Sequence, residues 1–471
     1  MSVLTFTPAD AHSVMNSLVH QAVGRDDITV TDTSSFVSAG NMVLESGVEN
    51  VFNALSVLIG RTIIESRPYD GKFRLISRQV ANAFENRVRK ISFYARDLEA
   101  DGAFNTDLYT NLGAGLSDTD GVGSVWDQNP AIPAEMNFYS DFVWSKSHTS
   151  YYEQIKVAFT NERSFIDFIN GVMVEVQNDI ESAIEARNRI CVLNRMAGQK
   201  LLADNGTLGA ESSKNLTKLF NEEFDTTYST AEILQEHLTA FMEFYVSLVK
   251  IDSDFMENRS VMYHDPLTKT IDGVDYVVLR HTPKSKQRFI YYSPFFTKAK
   301  ARVLPEIFNP QYLGDLNQNG EGIDYWQSIK NPSAIDIKPA LPDGAESSEV
   351  KLDLVIGMLF DEEAIMTNNK FEGAYSSGLN ARHLYENTFW HYRYGVINDF
   401  SENCILYYMA DESESFTGDG ETVKFTLTGT VTEILSVTVN GTETTGYTYA
   451  DGAITFETAP ADKAVIVVTY K

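Results

Sequence analysis

Residues 160–198 read TNERSFIDFINGVMVEVQNDIESAIEARNRICVLNRMAG. Phe165, Ile169, Val172, Met173, Val176, Ile180, Ala183 and Ile184 recur three and four apart, and Ile190 with Cys191 extends the row. That spacing lays one apolar stripe along a helix, with Glu175, Asp179, Glu181, Glu185 and Arg187 on the other faces. Thr160 or Asn161 supplies an N-cap and Gly198 a stop. No proline interrupts residues 134–265. A helix of ~35–40 residues is roughly 55–60 Å long, far above the ~11–12 residue mean. It has the dimensions of a structural strut.

On the N-terminal side, residues 1–48 are Ser/Thr-rich and weakly periodic, which predicts an extended arm with little core of its own. Val51, Phe52, Leu55, Leu58 and Ile59 predict a short helix, and Val80, Phe84 and Val88 a second over Ser77–Ile91. Strands are predicted at Ile91–Ala95, Asn137–Trp144 and Tyr151–Phe159. Between the first two lies a Gly-, Asp-, Asn- and Ser-rich insert, Gly102–Pro133, long for a compact domain. It reads as a projecting hairpin that packs outside its own subunit.

On the C-terminal side, residues 203–228 read as a polar loop. Ser229 and Glu232 match a capping box, opening a helix through Leu234, Leu238, Phe241, Tyr245 and Leu248. Strand-like runs follow at Tyr276–Arg280 and Phe289–Tyr292, then a short helix near Thr297–Phe308 and a loop-rich region to Ser348. Lys351–Phe360 is a buried apolar run, and Arg393–Asn398 with Cys404–Met409 completes an α+β body. The composition shifts at Asp411: the last stretch has ten acidic and three basic residues and no Cys, Trp or Met. Its alternating runs are Val423/Phe425/Leu427, Leu435/Val437/Val439, Tyr447/Tyr449, Ile454/Phe456 and Ile466/Val468/Tyr470. Asn440-Gly441 and Asp451-Gly452 are hairpin signals, so residues 411–471 predict a small all-β sandwich.

The 471 residues suggest about three domains. Hydrophobic residues at 43% and aromatics at 12% are ample for a core and exclude a disordered chain. Lys plus Arg total 38 against 65 Asp plus Glu, a net charge of -27. That argues against a protein that wraps or reads nucleic acid, which needs basic surface. The two cysteines, Cys191 and Cys404, form no CxxC or His/Cys cluster and read as buried thiols in a reducing compartment. The opening MSVLTFTPADAHSVMNS has no signal-peptide pattern, and no apolar run is long enough to span a membrane. The expectation is a soluble, cytoplasmically made product with no membrane partner.

No P-loop, nucleophile elbow, HExxH or kinase set is present. Asp315, Asn317, Asn319 and Gly320 match the opening of a calcium loop, but its twelfth position is Trp326 and its eighth Gly322, so an Asn/Gly turn is expected. His383 and His391, with Glu386 between them, lack the spacing of a helical metal pair. Asp361, Glu362 and Glu363 read as carboxylates in a helix first turn. Asp118 and Asp120 read as solvated loop residues. Arg87, Arg89 and Lys90 read as a basic run at a helix end that complements the dipole or meets acidic partners. No catalytic, cofactor-binding or metal residue is assigned, and an enzyme is not expected.

Three stretches carry a resemblance: Leu354–Ile365 (LVIGMLFDEEAI), Asn380–His391 (NARHLYENTFWH) and Asn398–Ile405 (NDFSENCI). Together they resemble the C-terminal half of tailed-bacteriophage major capsid proteins of the Hong Kong 97-like fold. Over roughly residues 50–410 the resemblance implies an N-terminal arm (1–65), an extended loop (66–159) and a spine helix of the peripheral domain (160–204). It then implies a mainly axial domain (205–380) and a return to the peripheral domain (381–410). Phe416–Leu427 (FTGDGETVKFTL) and Ile434–Gly441 (ILSVTVNG) resemble the immunoglobulin-like modules of phage virion proteins, which usually decorate the shell exterior. The family's covalent Lys–Asn cross-link is not carried over: Lys146 and Lys156 do not match its pattern.

The resemblance implies a subunit that forms pentamers and hexamers of a closed icosahedral shell, assembled in the host cytoplasm. Scaffolding and portal proteins would be partners, and packaged double-stranded DNA would be contained without sequence-specific contacts. Two other readings stand beside it: an encapsulin-like compartment, and a virion surface adhesin acting through the C-terminal module.

Overall fold

A computed structural model of the chain describes residues 8–24, 28–46, 71–77, 87–94, 132–139, 142–271, 274–302, 320–342, 344, 347–429 and 431–471. The chain falls into two compact units. The first comprises Met1–Arg89, Asn137–Cys191 and Ile365–Asn398; the second comprises Lys90–Met136, Val192–Ala364 and Asp399–Lys471.

In the first unit, Pro8 opens a helix, Pro8–Val23, where its missing N–H costs nothing. A second helix, Thr33–Glu45, starts at an Asp32 capping box: the Asp32 carboxylate accepts the Ser35 N–H at 2.7 Å, and the Ser35 hydroxyl accepts the Asp32 N–H at 3.0 Å. Ala11, Met15, Leu18 and Val19 meet Phe36, Ala39 and Val43 in a core shared with Ile155, Phe159, Phe165, Trp390 and Tyr392. The expectation of an extended arm over residues 1–48 is therefore corrected. The stripe at 11, 15, 18 and 19 outweighs the polar composition. The predicted helix at 51–59 lies outside the described residues, as does most of the Gly102–Pro133 insert.

A three-stranded antiparallel sheet, in the order Ile365–Ser376, Tyr385–Asn398, Phe142–Tyr151, completes this unit. In the central strand Glu386, Thr388, Trp390, Tyr392 and Tyr394 alternate inward. Trp144 stacks on Tyr392 at 4.9 Å, and the Arg187 guanidinium sits 4.1 Å above Trp144. The strand predicted at Tyr151–Phe159 is instead a helix, Tyr152–Ala158, because Ile155 and Ala158 turn one face to the helical core. The strand predicted at Asn137–Trp144 is two strands, Pro133–Tyr139 and Phe142–Tyr151.

The long helix runs Glu162–Asp204, 43 residues and ~65 Å. Asn161 caps it, its Oδ1 accepting the Ser164 N–H at 2.8 Å. Gly198 is not its stop. A Cβ there would lie 2.5 Å from the Phe400 ring, so the glycine serves a close approach. The helix ends at Asp204, and Gly206 takes the left-handed conformation, φ +73°.

The second unit holds a five-stranded sheet in the order Ser213–Asn215, Cys404–Met409, Leu354–Asp361, Gln287–Tyr292, Gly320–Ile323. Its three central strands are antiparallel and the outer two pair in parallel. Leu354–Asp361 is buried almost end to end, as the apolar run predicts. Against the sheet packs Tyr245 of the helix Leu238–Phe255, edge-on to Tyr407 at 5.8 Å. From the long helix, the Gln199 amide donates to the Cys404 carbonyl at 2.7 Å.

Several local expectations change here. Residues 203–228 contain a helix, Leu216–Phe224, capped by Asn215 and ended by Asp225 at φ 51°. The Ser229–Glu232 capping box is present, but the helix it opens breaks at His237 into Thr230–Glu236 and Leu238–Phe255. The strand near Tyr276–Arg280 is Val274–Val277, and the following helix is Ser293–Arg302. Trp326, the residue that spoils the calcium loop, is fully buried with its indole N–H on the Val355 carbonyl at 2.9 Å. Trp326→Ala should cost about 3–5 kcal/mol of stability, read as a lower denaturant midpoint at unchanged slope.

Residues 412–470 form two sheets, ordered Glu412–Thr417, Val465–Tyr470, Ile434–Val439, Thr442–Glu443 and Lys424–Thr426, Ala453–Phe456, Tyr447–Ala450. Phe425, Val437, Ile454, Phe456, Ile466 and Val468 share one core. Asn440-Gly441 (φ 52°, 77°) and Asp451-Gly452 (φ 51°, 70°) occupy the left-handed region that hairpin turns require, as their sequence predicts.

This module is tied to the helix Thr230–Glu236 by Lys471, whose ammonium lies 2.7 Å from Glu232 and 3.1 Å from Glu433. The Lys471 hydrogen bond, then those from Ser229, hold the Glu232 carboxyl down at about 2, against 4.5 unperturbed. A lowered carboxyl pKa contributes stability above the unfolded value and loses it as pH falls through the folded one. Glu232→Gln should therefore be less thermostable than the natural chain at pH 6, with the gap closing between pH 4.5 and about 2. Calorimetry across that range checks it; a gap independent of pH would refute the pairing.

Candidate functional site

The basic run lies on a strand, Arg87–Phe93, and not at a helix end. The alternation of a strand sends Lys90 and Ser92 inward while Ile91 and Phe93 stay outside, 51% and 59% exposed. Lys90 reaches Asp399 at 2.8 Å, Glu402 closely, and Glu363 at 3.7 Å. The expectation that these bases meet acidic partners holds for Lys90; the helix dipole has no part in it. Arg280 adds a second cation to Glu402 at 3.2 Å.

The two acids respond in opposite senses. Burial pushes both carboxyls up. In Asp399 the Lys90 charge and the hydrogen bonds from Lys90 and Ser401 outweigh burial, and the net direction is down. In Glu402 burial prevails over Lys90 and Arg280, and the net direction is up. The Ser401 N–H and hydroxyl, 2.9 and 2.7 Å from Asp399 Oδ1, add to the lowering of Asp399, while the Asp399 charge adds to the raising of Glu402.

Asp361, Glu362 and Glu363 form the turn between Leu354–Asp361 and Ile365–Ser376, not the first turn of a helix. Each carboxylate is engaged. Asp361 accepts from Thr282 at 2.8 Å, Glu362 from Arg288 at 2.6 Å, and Glu363 meets Lys286 at 3.4 Å. These are structural anchors of a turn. Beside it, Ile91, Phe93, Val278, Leu279, Arg259 and His281 border a cavity of about 580 Å³.

His383 lies exposed in a turn, its N–H on Asn380 Oδ1, while His391 is in the strand Tyr385–Asn398 with its ring 5.6 Å from Tyr375. Glu386 is buried in the same strand. Among the described residues no group of three or more His, Cys, Asp or Glu is placed to hold a metal. Cys191 and Cys404 are buried free thiols. Lys146 pairs with Asp179 at 2.5 Å, and Lys156 is exposed. Asp118, Asp120, Asp315, Asn317 and Asn319 lie outside the described residues. No described helix is long and apolar enough to cross a membrane.

The sequence profile of the Phi29-like phage major capsid protein matches residues 133–408, more than half of the chain. The chain belongs to that family. It is a phage major capsid protein, a structural shell subunit of the virion, and the family is structural rather than enzymatic. The match spans the long helix, both large sheets and the Asp361–Glu363 turn, and stops before the C-terminal module.

Among solved structures, this capsid protein is similar to the capsid of Staphylococcus phage Andhra: 12% identity, TM-score 0.44, covering 74% of this chain and 86% of that one. The mature capsid of bacteriophage PhiM1 gives 9% identity and TM-score 0.39 over 74% and 89%. That of Cyanophage P-SCSP1u gives 11% and 0.37 over 74% and 90%. These scores are low, and family membership rests on the profile match alone. No curated protein matches the chain in sequence.

Sequence reasoning did not single out Lys90 as the partner of Asp399 and Glu402. The available signal was the alternation Lys90, Ile91, Ser92, Phe93, which marks a strand with one charged side chain turned inward.

Proposed function

We propose that this chain self-assembles, as pentamers and hexamers, into a closed icosahedral shell around double-stranded DNA, using a Hong Kong 97-like fold. Family membership over residues 133–408 carries the reading. In it the helix Glu162–Asp204 is the rigid spine (160–204), residues 66–159 provide the extended loop, 205–380 most of the axial domain and 381–410 the return to the peripheral domain. The base of the insert fits a projecting loop: the Tyr94 N–H donates to the Ile132 carbonyl at 3.0 Å, so its two ends start together. The net charge of -27 suits an inner wall that contains DNA without gripping it.

Residues 411–471, two sheets on one core, are read as an immunoglobulin-like β-sandwich displayed on the shell. Scaffolding and portal proteins complete the assembly, which takes place in the host cytoplasm. Negative-stain microscopy of the purified chain, with and without co-expressed scaffolding protein, tests the reading. Closed shells are expected, and nuclease-protected double-stranded DNA in native particles. DNA-free native particles holding a cargo enzyme would favour a compartment, and a stable monomer that binds glycans an adhesin.

A further inference from the structure

The cavity beside the Asp361–Glu363 turn combines two properties unusual for so acidic a chain. Its apolar border, Ile91 and Phe93, is more than half exposed. Of the bases around it, Arg280 and Lys286 are engaged by Glu402 and Glu363, whereas Arg259 and His281 are exposed and make no ion pair among the described residues. The opening thus mixes two kinds of surface: Ile91 and Phe93 are its exposed apolar edge, the carboxylates of Asp361, Glu363 and Glu402 in its wall are already engaged, and Arg259 is the uncompensated cation at its rim.

The same unit carries the reverse arrangement at the end of the helix Leu216–Phe224. Glu222, Glu223 and Asp225 are exposed and unpaired among the described residues, and they flank Phe224, which is 49% exposed. Phe224 is braced from behind by Phe220 at 4.7 Å and Phe244 at 6.4 Å, so its ring is presented in a defined direction. The left-handed Asp225 ends the helix immediately after it. Water is a poor neighbour for an aromatic ring, and a ring set among acids is matched by a recess that offers exposed apolar side chains beside an unpaired arginine.

We propose that Phe224, with Glu222, Glu223 and Asp225, seats in the Ile91/Phe93/Arg259 cavity of a second copy of this chain. Both patches are exposed in the folded chain, so the contact forms between copies. It joins two different surfaces, and such head-to-tail contacts close into rings when the rotation allows. The inference rests on the self-assembly reading and specifies one contact within it.

The test uses the full chain. Because Cys191 and Cys404 are buried, Phe93→Cys and Phe224→Cys introduce the reactive thiols. Assembled material is purified, oxidised and run on a non-reducing gel. The double variant should give a ladder, a mixture of the two single variants dimers only, and each single variant alone none. Arg259→Glu should lower the yield of assembled material by about tenfold or more, and adding Glu223→Lys should restore it. Circular dichroism of each variant separates lost assembly from lost folding. Normal assembly with no ladder, and a yield unmoved by Arg259→Glu, overturns this contact and leaves the assembly reading standing. No oligomer at all from the unaltered chain overturns both.

Discussion

Replacing Lys90 with methionine is expected to destabilise the folded chain by about 3–5 kcal/mol, the scale seen when one partner of a buried ion cluster is removed. Asp399 and Glu402 are both buried, and without Lys90 they keep Arg280 on Glu402 alone. Methionine retains most of the apolar stem, so the loss reports the charge. Burial pulls the Lys90 pKa down, but Asp399 and Glu402 together outweigh it, and the net direction is up from 10.5. A raised lysine pKa contributes stability that is fully present below the unfolded value and lost as pH rises through the folded one. The gap between natural chain and Lys90→Met should therefore be constant near neutrality and close above pH 10.5. Adding Asp399→Asn to Lys90→Met should recover part of the loss, because one fewer buried charge lacks a partner. Urea titrations of the three chains check this; a loss under about 1 kcal/mol would mean the cluster is solvated like a surface pair.

The second large effect comes from the backbone of the same two acids, Asp399 and Glu402. Arg195, fully buried on the long helix, donates from both terminal nitrogens to the carbonyls of Asp399 and Glu402, the latter at 2.9 Å. Its guanidinium lies 4.5 Å from the Phe400 ring centre, one helical turn from the Gly198 that leaves room for that ring. Arg195→Met removes two charge-assisted bonds, leaving the Asp399 carbonyl only the Glu402 N–H at 3.2 Å and taking the arginine donor from the Glu402 carbonyl, and about 3–5 kcal/mol is expected. Arg195→Lys keeps the charge but cannot reproduce the fork, so its loss should be intermediate. Equal stability of Arg195→Lys and the natural chain would show that charge alone matters there.

What was legible in the sequence follows from which force decides each element. The long helix was readable because its stripe runs for many turns, and Asn161 caps it as predicted. The Asn-Gly and Asp-Gly hairpins were readable because left-handed backbone admits few residue types. The N-terminal helices were missed because a Ser/Thr-rich composition hid a stripe of four, Ala11, Met15, Leu18 and Val19. Tyr152–Ala158 was missed because its aromatic and branched residues favour a strand locally, while packing of Ile155 and Ala158 selects a helix. Gly198 was misread because a helical glycine signals a stop only when nothing packs on it. The Lys90 cluster joins residues some three hundred positions apart, a pairing that local pattern does not carry.

Whether this chain builds the shell is decided by electron cryomicroscopy of particles purified from cells expressing it with its scaffolding protein. A closed shell is expected whose repeating density traces residues 133–408 of this chain, with the helix Glu162–Asp204 unbroken in every copy. A chain that stays monomeric under those conditions, or a shell whose density is traced by a different protein, would contradict it.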